Sequence, residues 1–200
     1  MWKKLVFVLV AGALVVAAAA FWTIRRAHGF SARERPTAIE IFLARTAREL
    51  AIPPHARGKR NPVPDNAETL AEGRGHWADH CAICHANNGS GDTEMGGHMY
   101  PSAPDMRKED TQRMSDGELF YVIENGIRLS GMPAWGGSDH TEQDSWKLVR
   151  FIRHLPRLTA EEEQEMEKLN PKSPQEVEEE KQEQDFLNGV DNEPHTMHHH

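Results

Sequence analysis

The chain contains two cysteines, and a histidine follows the second at once, giving Cys-Ala-Ile-Cys-His over residues 81–85. Cys81 and Cys84 are separated by about one helical turn, so on a helix both sulfurs face the same way. His85 is next in line, and its ring can turn toward whatever the sulfurs hold. Two thiols able to form thioethers with vinyl groups, beside an imidazole able to ligate iron, meet the requirements for attaching a c-type haem. A structural zinc site wants four ligands and a second cysteine pair, which this chain lacks. A thioredoxin-like redox pair wants a βαβ setting, and no strand-rich pattern surrounds these residues. Zinc or thiol redox chemistry is the weaker alternative.

Haem iron has a second axial position opposite His85. Met95, Met99, Met106, Met114, Met132 and several histidines are candidates for it. Met132 stands first, because it lies in the loop-like run Ser-Gly-Met-Pro-Ala-Trp-Gly, framed by Gly131 and Pro133, where the backbone can approach closely. A methionine on a helix is more often core filler than ligand. Met114 precedes a helix cap and reads as packing, while Met95, Met99 and Met106 read as pocket lining. His98 is the main rival, since bis-histidine ligation is also available to a haem.

Haem attachment of this kind takes place outside the bacterial cytoplasm, so an export signal is expected. Met1 to Lys4 is short and basic, and Leu5 to Ile24 carries no charge. As a helix the uncharged run matches a hydrocarbon core of ~30 Å. A cleavable signal has a shorter apolar region of ~7–15 residues. Ala17 to Ala20 could supply a cleavage site, but the apolar run continues through Phe21, Trp22 and Ile24, which favours a retained anchor. Basic residues flank both ends, so charge alone does not orient the segment. The haem motif does. The expected placement is a single-pass protein of the bacterial cytoplasmic membrane with its haem domain on the periplasmic side.

Charge divides the rest. Residues 1–60 hold 11 Lys and Arg against 3 Asp and Glu, residues 61–158 hold 9 against 15, and residues 159–200 hold 3 against 13. The expected segments are 1–26, membrane anchor or signal anchor; 27–64, amphipathic helix and basic linker; 65–158, haem domain; and 159–200, an acidic, largely disordered tail.

Thr37 to Ile52 has Ile39, Phe42, Leu43 and Leu50 near helical spacing, a Thr37–Glu40 capping box, and prolines to stop it. Such a helix could rest on the bilayer, on a partner subunit or on the haem domain. His55 to Pro64 reads as linker. Asp65 to Asp79 reads as a helix capped at Asp65, with Leu70 and Trp77 inward. Ser115 to Ile127 opens with a Ser115–Glu118 box and turns Leu119, Val122 and Ile123 inward. Thr141 to Leu155 carries Trp146, Val149, Phe151 and Ile152. No segment alternates as a strand. The class expected is all-α, with long loops that make sense if they enclose a haem.

Cys-Ala-Ile-Cys-His after an amphipathic helix, then a "GxxxxGMPAW"-like loop, then a tryptophan-bearing helix resembles the small class I c-type cytochromes. The resemblance covers Asp65 to Pro156, about half the chain. The stretch "SDGELFYVIENGIRLSGMPAW" is similar to bacterial single-haem, membrane-anchored members. The resemblance implies one covalent haem c, His85 as proximal and Met132 as distal ligand, and electron transfer as the activity. It also implies packing of the first haem-domain helix on the last, around Gly75 and Trp146.

Iron held by histidine and methionine has no open position for a substrate, which favours electron transfer over catalysis. No P-loop, GxSxG or HExxH motif is present, and the chain does not read as an enzyme. Expected partners are redox proteins, themselves membrane-associated, and not nucleic acid. The alternatives are a haem-based sensor or ligand binder with a labile sixth ligand, and a metal-handling protein acting through its tail. That tail ends in His195, His198, His199 and His200 with Met197 among them. Imidazole suits zinc, nickel and copper, so a transition-metal ion is a candidate ligand there; a tag remnant is the bland rival. Before it, Leu158 to Leu169 reads as helix-like and extending from the domain, and the proline-interrupted acidic run after that reads as mostly disordered and solvated, with docking on a basic partner or on the chain's own basic stretch as the alternative.

Overall fold

The computed structural model of the chain describes residues 2–26, 31, 36–137 and 140–188. Among these the regular structure is helical and no strand occurs. Seven helices longer than one turn are α1 (Trp2–Arg26), α2 (Ala38–Ala51), α3 (Ala67–His76), α4 (Asp116–Asn125), α5 (Glu142–His154), α6 (Ala160–Glu167) and α7 (Pro174–Leu187).

α1 is 25 residues with mean hydropathy 2.6 across its apolar window, long and apolar enough to cross a membrane. Its C-terminal end carries Arg25 over the Phe21 ring and Arg26 over the Trp22 ring, the aromatic and basic pairing that suits a membrane–water interface.

The central helical body is built on the crossing of α3 and α5. Gly73 makes the crossing close: a Cβ there would sit 2.4 Å from the Lys147 carbonyl oxygen and 3.2 Å from Phe151 Cβ. Gly75, expected at this contact, meets nothing within 4 Å. The reason is helical register. Gly73 shares a stripe with Leu70 and Trp77, three before and four after it, whereas Gly75 lies on the other side. Trp77, Phe151, Leu155, Met166 and Val149 are the largest fully buried apolar side chains. Trp77 tilts on Phe151 at 5.6 Å, and α4 adds Phe120, stacked on Trp146 at 4.1 Å. Val122 is only half-buried, its expected place in the core being taken by Phe120.

Capping fixes where the helices begin. The Thr37–Glu40 and Ser115–Glu118 boxes form in both directions. α3 is capped by Asn66, whose side chain accepts from the Thr69 amide, and not by Asp65.

Two stretches behave differently from expectation. Residues 55–64, expected as linker, lie against the domain: Ala56 is buried, the Ser115 hydroxyl donates to the Arg57 carbonyl, and Asn61 donates to the Trp146 carbonyl. A Cβ on Gly117 would fall 1.9 Å from the Ala56 carbonyl oxygen, so this segment is seated tightly on α4. Beyond residue 158 the helix-like start forms α6, and the acidic run after it, expected as mostly disordered, forms α7 up to Leu187; each is opened by a capping box. α6 packs on the domain through Met166, which is 0% exposed, and through Arg74 to Glu165 at 2.9 Å and His154 to Glu162 at 3.0 Å. Favourable capping and one buried thioether outweigh the acidic composition that suggests a solvated run.

Candidate functional site

Cys81 ends a five-residue π-helical turn, Trp77–Cys81, and Cys84 and His85 lie on the one-turn helix Ala82–His85 directly after it. A π turn inserted into a helix shifts the register of the residues beyond it, and such turns recur at functional sites. Here it sits between α3 and the three side chains that sequence spacing singles out. The two cysteines are not bonded to each other. Burial, with the neighbouring Cys84 adding to it, pushes the Cys81 thiol up to about 12, and burial raises the Cys84 thiol as well. Both therefore carry their protons at neutral pH.

The His85 ring packs 5.7 Å from the Trp77 ring. Its Nδ1 is buried without a hydrogen-bond partner of good geometry. Burial lowers the pKa of the ring below its ordinary value, opposed by the Pro104 carbonyl. The ring is therefore a neutral imidazole, the form that ligates a metal. Around it the backbone is held tightly. Trp77 Nε1 donates to the Ala86 carbonyl at 3.0 Å, the Gly91 amide donates to the His85 carbonyl at 2.9 Å, and the Thr93 hydroxyl donates to the Cys84 carbonyl at 3.2 Å. Ala86 itself sits at φ 61°, ψ 159°, a region that is nearly glycine-only and costs about 1–3 kcal/mol. Strain is thus stored on the residue after His85.

Met132 lies in the loop between α4 and α5, half-buried. Gly126, at φ +64°, allows the loop to fold back: a Cβ there would be 2.8 Å from the Met132 carbonyl oxygen. The Met132 amide donates to the Ser130 hydroxyl at 3.1 Å, and its carbonyl accepts from the Ile127 amide at 3.2 Å. Two further bonds, from the Trp135 and Gly136 amides to the Ile123 and Glu124 carbonyls, staple the loop's far end to α4. The Trp135 ring stands 5.1 Å from His80, so the loop bearing Met132 lies beside the π turn leading to Cys81. Met99 Sδ lies against Gly131. Met106 and Met114 pack on the hydrophobic core, and Met95 is exposed. His98 is exposed, with Nδ1 2.7 Å from the Glu94 carbonyl.

Sequence reasoning missed a histidine cluster near this loop. The His76 ring lies 5.6 Å from His140 and 6.2 Å from His80, both edge-on. His76 Nε2 is 3.1 Å from Asp144 Oδ1. His140 Nε2 is 3.0 Å from the Ser145 hydroxyl, which itself donates to Glu124. His140 therefore donates from Nε2 and is held neutral, its pKa lowered first by burial and further by His76 and His80, with Asp144 and Glu124 opposing. Helical spacing of four between His76 and His80 was the available signal. Among the described residues no three His, Cys, Asp or Glu side chains are arranged to hold a metal ion. His195, His198, His199 and His200 lie outside the described residues.

A neutral buried imidazole, two thiols one turn apart and, beside the π turn that leads to them, a loop carrying a methionine are residue types that fit a haem. The fold and these residue types are what a c-type cytochrome requires. Residues 68–152 match the family described as cytochrome C oxidase, cbb3-type, subunit III. The thiosulfate dehydrogenase of Stutzerimonas stutzeri (strain A1501) is 23% identical over 96 residues, covering 48% of this chain and 30% of that one. The chain thus spans under a third of that curated relative's length. The middle of the chain is accordingly a cytochrome c domain, with haem as its cofactor and electron transport as its field of action.

Proposed function

We propose that the protein is a membrane-anchored, extracytoplasmic electron carrier with one covalent haem. Cys81 and Cys84 hold the haem through thioether bonds, and His85 and Met132 ligate its iron. When bound, the haem supplies a one-electron iron couple, with no open position for a substrate under such ligation. The chain's own part is to hold and tune. Trp77 packs on the His85 ring, the Pro104 carbonyl lies close to it, and hydrogen bonds with Ser130 and Ile127 fix the backbone of Met132. α1 keeps the domain at the membrane, where redox partners that are themselves membrane-bound can reach it.

The observation that supports this reading most strongly is the neutral, buried His85 ring directly after the two thiols, in a domain that matches a cytochrome c family. The similarity to a thiosulfate dehydrogenase is compatible with electron transfer, and the absence of a further catalytic motif in the sequence favours a carrier over an enzyme.

The test is optical. Haem should stay with the polypeptide through acid–acetone extraction, and the oxidised protein should show the near-infrared band of sulfur–iron ligation. Met132→Ala should abolish that band and let the reduced protein bind carbon monoxide. Haem that extracts removes the covalent attachment. A wild-type protein that binds carbon monoxide readily supports a ligand sensor instead.

A further inference from the structure

α2 is amphipathic, yet it meets the rest of the protein with its polar side. Arg45 pairs with Asp110, Arg57 donates to the Glu49 carbonyl, and the Tyr100 hydroxyl hydrogen-bonds Glu40. At 3.6 residues per turn, Ile41, Arg45 and Arg48 share one side of the helix. Ile39, Phe42, Leu43 and Leu50 share another, and they are 71%, 66%, 59% and 81% exposed. An ordinary surface helix turns its apolar stripe to the core; this one turns it away.

We propose that the outward stripe of α2 lies in the interfacial layer of the same bilayer that α1 crosses, so that α2 acts as a second, in-plane contact fixing the orientation of the haem domain. The inference rests on α1 being a retained anchor. Three observations select lipid as the occupant. First, α1 ends at Arg26 and α2 begins at Ala38; the eleven residues between them reach roughly 40 Å at full extension, so α2 stays in the neighbourhood of the membrane. Second, residues 25–60 hold nine Lys and Arg against three Glu, a balance that draws this part of the chain to anionic headgroups. Third, a stable protein–protein contact engages roughly 20–30 residues a side, and a stripe of four side chains falls well short of that, whereas it is enough for an interfacial helix already tethered nearby. Because Asp110 and Tyr100 hold the polar side of α2, the segment 100–110 faces the membrane, and the surfaces left to redox partners are those away from it.

The experiment uses full-length holoprotein in vesicles of phosphatidylcholine and phosphatidylglycerol, with a nitroxide label on a single introduced cysteine at a time: Phe42→Cys, Leu50→Cys, Ala44→Cys or Val10→Cys. Haem attachment occupies Cys81 and Cys84, and intact mass checks that each protein carries one label. Collision with oxygen, which concentrates in lipid, is compared with collision with a water-soluble nickel chelate. The ratio of oxygen to nickel collision should be several-fold higher at Phe42 and Leu50 than at Ala44, and highest at Val10. If Val10 reads as membrane while Phe42 and Leu50 collide with nickel as freely as Ala44, the stripe is in water and the docking is overturned alone. If Phe42 and Leu50 are shielded from both reagents, protein covers the stripe and the lipid assignment is wrong. A Val10 label in water overturns the retained anchor and the docking with it.

Discussion

Asp144 joins three parts of the domain through one carboxylate. It closes the capping box with Thr141 at the start of α5, lies 3.1 Å from His76 on α3, and accepts from Lys147 at 3.2 Å. Burial opposes its ionisation, but the Thr141 hydroxyl and amide, the Lys147 ammonium and His76 outweigh that, and its pKa lies well below the usual carboxylate range. A carboxylate whose folded pKa is depressed stabilises the fold fully above its unfolded pKa, near 3.9, and loses that contribution as pH falls through the folded value. Asp144→Asn should therefore cost about 2 kcal/mol at pH 7, the size of hydrogen bonds to a charged group. The gap between the two proteins in urea midpoint should stay flat down to about pH 4 and narrow below it. A gap that persists unchanged to pH 2 would mean that the charge is immaterial and only the shape of the side chain counts. At this scale the sequence was partly readable. Cys81, Cys84 and His85 announce themselves by spacing, as do the Thr37–Glu40 and Ser115–Glu118 boxes. The tie from Asp144 to His76 spans 68 positions, and no local pattern reports a contact of that separation.

The crossing of α3 on α5 depends on one missing side chain. Ala in place of Gly73 gains roughly 1 kcal/mol of helix propensity. Against that, its Cβ would fall 2.4 Å from a backbone carbonyl oxygen of α5, and backbone cannot swing aside as a flexible side chain can. Overpacking of this kind costs typically about 1–3 kcal/mol, so the steric effect wins. Gly73→Ala should lower the urea midpoint, while Gly75→Ala, with open space around it, should raise it slightly. Equal behaviour of the two would remove the close approach from the account of the fold. Which glycine mattered was available from the Leu70–Gly73–Trp77 stripe, whose period is that of a helix face. The π turn over Trp77–Cys81 was not available, because an extra residue in one turn leaves composition and capping unchanged. The inverted setting of α2 was also hidden: periodicity gives two faces and does not say which one meets the domain.

The whole molecule is charge-polarised, basic before residue 60 and acidic beyond residue 158. That gradient suggested a boundary at the end of α5, with a helix extending from the domain and a solvated run after it. The structure divides the acidic part differently. α6 carries Met166 into the core at 0% exposure, and its Glu162 lies 3.0 Å from His154 and 3.7 Å from Arg74. α7 buries no side chain. A lone methionine among glutamates is too faint a signal to override composition; what brings it inward is the apolar floor left by Phe151, Leu155 and Trp77, which only the assembled fold creates. Two shortened holoproteins separate the two halves of the tail. A chain ending at Asn170 keeps α6 and should unfold at the urea midpoint of the full chain. A chain ending at Leu158 loses the burial of Met166, worth about 2–3 kcal/mol, together with the partners of Arg74 and His154, and should unfold at a clearly lower urea concentration. Met166→Ala in the full chain should reproduce most of that loss, at about 2–5 kcal/mol. If ending the chain at Leu158 leaves the midpoint where it was, α6 contributes nothing to the domain and the boundary returns to the end of α5.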